Sequence, residues 1–501
     1  MQFDGTRQVV VIHALRPSSR QTTIDHIGSF RDFLDNDVTF LHYSQPIPSR
    51  LIEHGVDVLI FNYDFLNYRF SPIWKMIKNR HRELIHAANY KVAIVQDDFW
   101  ASTLIDEWIL ENGIDRVLTP IENDLDVLYP KSISKASFET VLTGYSATNS
   151  EPFSELPPLT QRSIDLGTRV RTMPPSLGRY AQDKARLSID FAKIVKSAGF
   201  NTDVSARVED TFLGGAWHDF LLRCRFVIGV KGGASLVDYD GSLHRKVQHY
   251  LARNPGASFV EVEESCFPNR DGKNVFKAVS PRLFDAARAG CCQILIEDEY
   301  PGDLQPWVDY LPIAEDLSNA DVVLDAMKDL NACQKVAQNC HEKLIGSNSF
   351  TYGNLVNAAL KEYAPLRTNG ISPNGSVYES PEDPAFVFNK HGEEIHDFVY
   401  AFLHDFVMTE PKRKLKQFRE SIVVLDGVNT GNDFSGFYSK SRPQTVTNEF
   451  VKVILQYQLA KWLLSRIDEY LNNKWDTSQV WIWRPFPMNQ NRNDPFDLFS
   501  K

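Results

Sequence analysis

The segment Ser280–Gly290 carries an arginine and an aspartate, Arg282 and Asp285, at a spacing that suits recognition of phosphates and hydroxyls. Pro281 favours the first turn of a helix and Gly290 its C-terminal end, so the segment predicts a helix that leads into an apolar strand. Residues three apart share one helix face, and a helix N-terminus attracts phosphate. An arginine for phosphates and a carboxylate for ribose hydroxyls suit a nucleoside-diphosphate pocket. A salt bridge on a solvated helix face explains the same pair equally well.

A second group follows the apolar run 226–230, which predicts a strand. Gly232 and Gly233 come directly after it, and glycines at a strand end let backbone N–H groups approach a ligand closely. Lys231 and Ser235 flank the glycines, and a short polar segment that contains Asp240 precedes the next predicted helix. The alternative is an ordinary β-turn.

Three basic residues, Arg169, Arg171 and Lys184, form a third group after the predicted strand 163–167. Facing a cleft, they would neutralise a diphosphate leaving group, whereas in isolation they are surface charges. All three groups lie at strand ends of the same predicted domain. Their coincidence favours one shared phosphate pocket.

The composition is that of a globular protein with 501 residues, of which 43% are hydrophobic and 24% charged. The net charge of −10 argues against a general nucleic-acid binder. Six cysteines make no disulfide framework, the first residues do not resemble a signal peptide, and we expect a reducing cytoplasmic setting. No apolar run approaches the roughly 20 residues that span a bilayer. The sequence also lacks the glycine-rich motifs of P-loop and classical dinucleotide-binding enzymes.

Strand and helix patterns alternate twice along the chain, which predicts an α/β fold with two Rossmann-like, doubly wound domains that face a cleft. We assign residues 1–145 to an N-terminal domain and 161–363 to a C-terminal domain, with a linker between them. Residues 364–501 are predicted to form a mainly helical extension. Its amphipathic helix over 447–471 favours packing on the body. Its basic cluster over 412–416 and aromatic run over 481–486 form either a membrane contact or a solvated surface.

The order of these motifs resembles that of GT-B glycosyltransferases from bacterial surface-polysaccharide loci, in the CgeB-like or family 4-like group. The resemblance rests on residues 165–171, 229–235, 238–242 and 280–287. It implies that the second domain binds a nucleotide-sugar donor and the first an acceptor. In the relatives the position of Asp285 usually holds a glutamate and that of Lys231 often an acidic residue. The chain therefore departs from the family's pattern at these two positions.

By this resemblance, Arg169, Arg171 and Lys184 would hold the diphosphate, and Asp285 the ribose. The full set of predicted donor-binding residues is Arg169, Arg171, Lys184, Lys231, Gly232, Gly233, Ser235, Asp240, Ser280, Arg282 and Asp285. GT-B enzymes generally need no metal, and we expect neither a metal site nor a cofactor beyond the nucleotide-diphosphate sugar that serves as donor substrate.

An inverting transfer needs a general base near the acceptor hydroxyl, whereas a retaining transfer does not. Four polar residues follow predicted strands of the first domain, namely His13, Asp64, Asp97 and Asp98. We prefer the pair Asp97–Asp98, because adjacent carboxylates can raise one pKa, with His13 as a further candidate. An acidic helix cap explains the pair equally well.

The sequence therefore predicts a glycosyltransferase that moves a sugar to a glycan or lipid-linked acceptor in the synthesis of O-antigen-type or capsule-type surface polysaccharide. A nucleotide-sugar epimerase or hydrolase on the same scaffold is one alternative, and a non-catalytic binding subunit is another. We expect a cytoplasmic protein, with peripheral contact at the inner face of the membrane through the C-terminal extension as a variant of that location. The donor nucleotide, the linkage and the oligomeric state stay open.

Overall fold

The computed structural model describes residues 8–361 and 363, apart from 16–18, 35–37, 44–46, 71–73, 79–80, 147–151, 213–214 and 362. The predicted extension over 364–501, with its amphipathic, basic and aromatic segments, lies outside the described residues. Every strand that an apolar run predicts is present within them.

A parallel sheet of six strands forms the first domain, in the order β2-β1-β3-β4-β5-β6. Its central strands are continuous apolar runs because both faces of the sheet are covered, and all five residues of the first strand are buried. The strands are β1 (Val9–His13), β2 (Val38–His42), β3 (Val56–Phe61), β4 (Ala88–Ile94), β5 (Arg116–Thr119) and β6 (Ser137–Thr140). The last strand has no apolar run, and the sequence analysis missed it.

Short helices connect these strands and cover the sheet. They are α1 (Gln21–Asp32), α2 (Ser49–Glu53), α3 (Tyr63–Leu66), α4 (Trp74–Ile77), α5 (Arg82–Ala87), α6 (Ser102–Asn112) and α7 (Leu125–Leu128). Although the residues before it are helical, Ala88 pairs with Val56 as the first residue of β4. Sheet pairing overrides the helix propensity of alanine at that position.

Seven strands follow in the second domain. They are β7 (Ile164–Arg169), β8 (Thr202–Ser205), β9 (Cys224–Gly229), β10 (Gly232–Ala234), β11 (Phe276–Ala278), β12 (Cys292–Ile296) and β13 (Leu311–Ile313). Five of them form a parallel sheet in the order β13-β12-β9-β7-β8, and β10 pairs antiparallel with β11. The glycine-rich segment after β9 is therefore half of a small ladder and not a simple turn.

The second domain carries the helices α8 (Arg179–Ser197), α9 (Gly215–Leu222), α10 (Ser242–Arg253), α11 (Phe259–Cys266), α12 (Arg282–Arg288), α13 (Ala320–Met327), α14 (Leu330–His341) and α15 (Tyr352–Leu360). The last of these returns to the first domain. Leu355 and Val356 pack in one buried cluster with Val11 and Phe30, and the carbonyl of Ala358 accepts a hydrogen bond of 2.6 Å from the side chain of Arg116. The chain thus crosses between the domains twice.

The two sheets confirm the predicted fold class of two Rossmann-like, doubly wound domains. Direct contacts hold them together: Thr103 N donates to Tyr239 O over 2.9 Å, and Asp238 N donates to Phe99 O over 3.0 Å. Phe276 of β11 belongs to the same buried cluster as the core of the first domain. This packing fixes the carboxyl ends of both sheets relative to each other.

A substitution at Gly233 tests the close pairing of β10 with β11. The φ of Gly233 is +143°, and a Cβ built there would lie 1.8 Å from the carbonyl oxygen of Phe276. We expect Gly233→Ala to lower the free energy of unfolding by roughly 3 kcal/mol or more, because the pairing of β10 with β11 cannot admit a methyl group. Gly256→Ala is the matched control, since nothing lies within 4 Å of the added methyl. Chemical denaturation compares the two, and equal losses would contradict the close approach.

Candidate functional site

A pocket opens at the carboxyl ends of β7, β9 and β12. The sheet order reverses between β7 and β9, and parallel α/β sheets bind ligands at such a switch point. Its polar lining consists of Thr168, Lys184, Ser188, Lys231, Ser280, Arg282, Gln293 and Tyr300. Four of the predicted donor-binding residues, Lys184, Lys231, Ser280 and Arg282, therefore lie around one cavity.

Helix α12 positions Arg282 at this pocket. Pro281 has helical dihedral angles (φ −54°, ψ −25°), and Gly290 ends the segment with φ +63°. Leu283, whose carbonyl accepts a 3.0 Å hydrogen bond from Gln293 of β12, anchors the first turn against the sheet. The apolar face of the helix is buried, so the arginine at its start stays at the strand ends.

Lys184 and Arg282 form an electropositive pair that makes no hydrogen bond or ion pair with any residue that the structure describes. Burial, aided by Arg282 and Arg20, lowers the pKa of Lys184 to about 7. Burial and Arg20 also lower the pKa of Arg282 to about 10, although Asp285 opposes this. Three cations that repel each other at one site are stabilised when an anion of multiple charge binds between them.

Arg20 is the functional residue that the sequence analysis missed. It precedes α1 in the first domain and yet acts electrostatically on both Lys184 and Arg282 of the second. The cationic site is therefore built by both domains. The only sequence signal was a basic residue shortly after the first strand, and no spacing rule links it to Lys184 and Arg282, which follow 164 and 262 positions later.

Asp285 lies on the same short helix and accepts a 2.9 Å hydrogen bond from the indole N–H of Trp217 through Oδ2. Burial raises the pKa of Asp285, while Trp217, Arg288 and Arg282 lower it. The second carboxylate oxygen makes no hydrogen bond with the described residues, and Asp285 is not among the residues that line the pocket.

Arg169 is not brought to the pocket. Its guanidinium forms an ion pair of 2.8 Å with Asp203 and lies 4.8 Å and 4.5 Å from the ring centroids of Phe212 and Phe220. Side chains alternate across a strand, so Thr168 faces the cavity and Arg169 faces the opposite side of β7. We assign Arg169 to the packing of β8 and α9.

Two further predicted binding residues hold loops together. Ser235 donates a 2.6 Å hydrogen bond to Asp271 and accepts one of 3.1 Å from Tyr180 N, which ties the ladder to the start of α8. Asp240 is exposed and accepts a 3.0 Å hydrogen bond from Ser242 N at the start of α10. Gly232 and Gly233 belong to β10, where Gly232 approaches Lys184 so closely that a Cβ would lie 3.7 Å from its Nζ.

Asp97 lies in the cleft between the domains. Its backbone is left-handed (φ +55°) and its carbonyl accepts a 2.8 Å hydrogen bond from Arg69. Burial raises the pKa of its carboxyl group, while Arg69, Arg171 and Arg20 act against this rise. Asp97 also raises the pKa of Lys184, so the carboxylate is near the cationic site. Arg171 thus reaches the cleft at Asp97.

Asp98, the other half of the predicted pair, is fully buried beneath the cleft. It accepts hydrogen bonds from the hydroxyls of Thr119 and Tyr129, the latter over 2.6 Å, and burial raises its pKa. The pair is therefore split by its environment, with one carboxylate near the cations and one within the core.

His13 is buried at the end of β1, where its Nδ1 accepts a 3.2 Å hydrogen bond from Leu15 N and burial lowers its pKa to about 3. Asp64 accepts hydrogen bonds of 2.8 Å from Ala14 N and from the side chain of Asn62. Both residues order the loop after β1, and the structure does not place them beside Lys184 or Arg282.

Within the described ranges, no cluster of three His, Cys, Asp or Glu side chains could hold a metal ion. The six cysteines are buried free thiols. None of the helices that the structure describes has the length and apolarity to cross a bilayer.

Two Rossmann-like domains packed against each other, with a pocket at the strand ends of the second, define a GT-B type of architecture. No protein-family model matches the sequence, and no curated protein sequence matches it significantly.

Several solved structures are similar in fold at low identity. One is a TarM variant from S. aureus in complex with fondaparinux, α-GlcNAc-glycerol and UDP (13% identity, 63% of this chain and 58% of that chain, TM-score 0.38). Another is Anabaena HepE in complex with UDP-glucose (8% identity, 71% and 99%, TM-score 0.38). A third is sucrose-phosphate synthase from Thermosynechococcus elongatus (10% identity, 71% and 99%, TM-score 0.34). The chain spans somewhat more than half the length of TarM, and at these values the likeness concerns fold alone.

Proposed function

We propose that the chain is a glycosyltransferase whose donor is a nucleoside-diphosphate sugar bound in the pocket of the second domain. One observation carries the proposal: Lys184 and Arg282 line a cavity and form no ion pair with any described carboxylate, and Arg20 of the first domain adds positive charge beside them. A diphosphate supplies the missing negative charge.

The same arrangement suits departure of the nucleoside diphosphate. Negative charge grows on the bridging oxygen as the glycosidic bond to phosphate breaks, and fixed cations stabilise that charge. Arg282 and Lys184 would provide this stabilisation, and Asp285 would bind ribose hydroxyls through its free carboxylate oxygen. Asp97, held near these cations by the first domain, would accept the proton of the acceptor hydroxyl.

Asp97 and Asp98 offer a matched pair of substitutions. We expect Asp97→Asn to lower the turnover number by about 100-fold or more, because the amide cannot accept a proton, with little change in nucleotide affinity. We expect Asp98→Asn to act mainly on stability, because its carboxylate receives two buried hydroxyl hydrogen bonds. Steady-state kinetics and thermal unfolding of both variants separate the effects. An Asp97→Asn enzyme with normal turnover would exclude this base.

Release of the nucleoside diphosphate tests the proposed function against its alternatives. The purified chain is incubated with nucleotide sugars, with and without a panel of glycan and lipid-linked acceptors, and free nucleotide is quantified. A transferase predicts release that rises with a hydroxyl acceptor. Equal release without acceptor indicates a hydrolase, a changed sugar without release indicates an epimerase, and nucleotide binding without turnover indicates a binding subunit.

Within this proposal, a surface-polysaccharide role at the cytoplasmic face of a membrane is the specific setting that the sequence resemblance favours. Acceptors of the O-antigen and capsule type therefore belong in the panel. Metal independence is part of the same proposal, because Arg282, Lys184 and Arg20 supply the positive charge that a divalent ion otherwise contributes. Turnover that needs an added divalent ion would contradict this part.

A further inference from the structure

A second group of charges reaches the pocket through one of its members, Lys231. Lys231 is buried and lines the cavity, and Asp298 accepts hydrogen bonds from both Lys231 (3.1 Å) and Lys277 (2.8 Å). Burial acts to raise the pKa of Asp298, but the hydrogen bonds from the two lysines hold it below its ordinary value. Two ammonium groups therefore share one ionised carboxylate. We call these three residues, Lys231, Lys277 and Asp298, the lysine triad.

The ladder of β10 and β11 holds the lysine triad in place. Lys277 of β11 pairs with Gly233 of β10, and Lys231 is the residue directly before β10. Tyr300 and Tyr180 flank the lysines, with ring centroids 5.4 Å from the Nζ of Lys231 and 5.9 Å from that of Lys277. The two tyrosine rings therefore contact the ammonium groups without supplying a second carboxylate.

Lys231 connects the lysine triad to the cavity that Lys184 and Arg282 also line. Lys231, Lys184 and Arg282 all line the same cavity, and Gly232 lies next to Lys231 in sequence and against the Nζ of Lys184 in space. A diphosphate brings two negative charges to Lys184, Arg282 and Arg20. A donor with an uncharged sugar leaves the excess positive charge of the triad unmatched.

We infer that the sugar carried by the donor is acidic, a hexuronic acid or a similar sugar with a carboxylate, and that Lys231 and Lys277 recognise this carboxylate. The inference rests on the proposed function, since it takes the diphosphate to occupy Lys184 and Arg282. A carboxylate on the sugar accepts hydrogen bonds from ammonium groups that Asp298 alone satisfies only in part. The lysine triad then selects an acidic over a neutral sugar of the same shape.

Matched donor pairs test this inference. Dissociation constants are measured by calorimetry for UDP-glucose and UDP-glucuronate, UDP-galactose and UDP-galacturonate, and GDP-mannose and GDP-mannuronate, with UDP and GDP alone as references. We expect the acidic member of at least one pair to bind about 10-fold more tightly. Lys277→Met should bring that ratio near one. The exposed Lys273 provides the matched control, and Lys273→Met should keep the ratio.

The nucleotide references separate two kinds of failure. Binding of UDP or GDP together with equal or weaker binding of every acidic sugar overturns the inference and leaves the proposed function standing. Failure of all six sugars to bind, with UDP, GDP, dTDP and CMP also without effect, overturns both. Lys277 is partly exposed, with 42% of its side chain accessible, so the decisive variant does not depend on replacing the buried Lys231. An acidic preference that survives in Lys277→Met also contradicts the recognition assigned here.

Discussion

Replacement of Arg282 by alanine is expected to weaken nucleoside-diphosphate binding by about 100-fold and to abolish the thermal stabilisation that the nucleotide confers. The guanidinium lines the cavity, makes no hydrogen bond or ion pair with the described residues, and is held by a buried helix turn. It is therefore available to the phosphates without first breaking an internal hydrogen bond or ion pair, and its other contact is with the ring of Trp217, whose centroid lies 5.9 Å away. Isothermal titration with the best-binding nucleotide measures the loss.

Two further variants sharpen this result. Arg282→Lys keeps the charge but not the planar pair of donors, so we expect a partial loss of about 10-fold. Arg186→Ala removes an exposed arginine that pairs with Asp183 on α8 and should leave affinity unchanged. Wild-type affinity in Arg282→Ala would place the nucleotide elsewhere.

Replacement of Lys184 by methionine is expected to move binding and stability in opposite directions. Nucleotide affinity should fall by about 30-fold or more at pH 6, where the ammonium is charged. The free energy of unfolding should rise by roughly 1–2 kcal/mol at the same pH, because the variant no longer places a charge near Arg282 and Arg20 in a half-buried site. Lys193→Met on the same helix removes an exposed lysine and should change neither quantity.

The pH dependence follows from the direction of the pKa shift. Burial lowers the pKa of Lys184 from 10.5 to about 7, so between these values the unfolded chain binds more protons than the folded one. The cost of Lys184 to stability is full below about pH 7 and fades as the pH rises towards 10.5. The gain in Lys184→Met should fade in parallel, and wild-type nucleotide affinity should fall above pH 7. A gain that is constant with pH would contradict the shift.

The fold could be predicted because its signals are local. Short, mostly apolar runs such as Val9–His13 and Cys292–Ile296 favour strands buried on both faces, and Gly290 marks the end of α12. Arg282 followed from the same local logic, since its helix leads directly into the strand β12 and Pro281 sets its first turn. The edge strand Ser137–Thr140 lacks an apolar run and gave no such signal.

The site was predictable only in part, because its residues come from segments that are distant in sequence. Whether a residue belongs to the site also depends on which face of its strand or helix carries the side chain. Arg169 and Thr168 are neighbours, yet only the order of strands in the sheet decides which of them faces the cavity. The separation of Asp97 from Asp98 depends on Tyr129, which lies over 30 residues away in sequence. Arg20 joins the cations through the packing of two domains, and no pattern within either domain predicts that.

Thermal unfolding with UDP, GDP, dTDP and CMP, each with and without magnesium, tests the central claim most directly. A ligand that binds only the folded state raises the unfolding temperature with the logarithm of its concentration over the dissociation constant. The account predicts a rise with at least one nucleoside diphosphate, nearly unchanged by a chelator and absent in Arg282→Ala. A well-folded sample that none of these nucleotides stabilises would contradict the donor pocket.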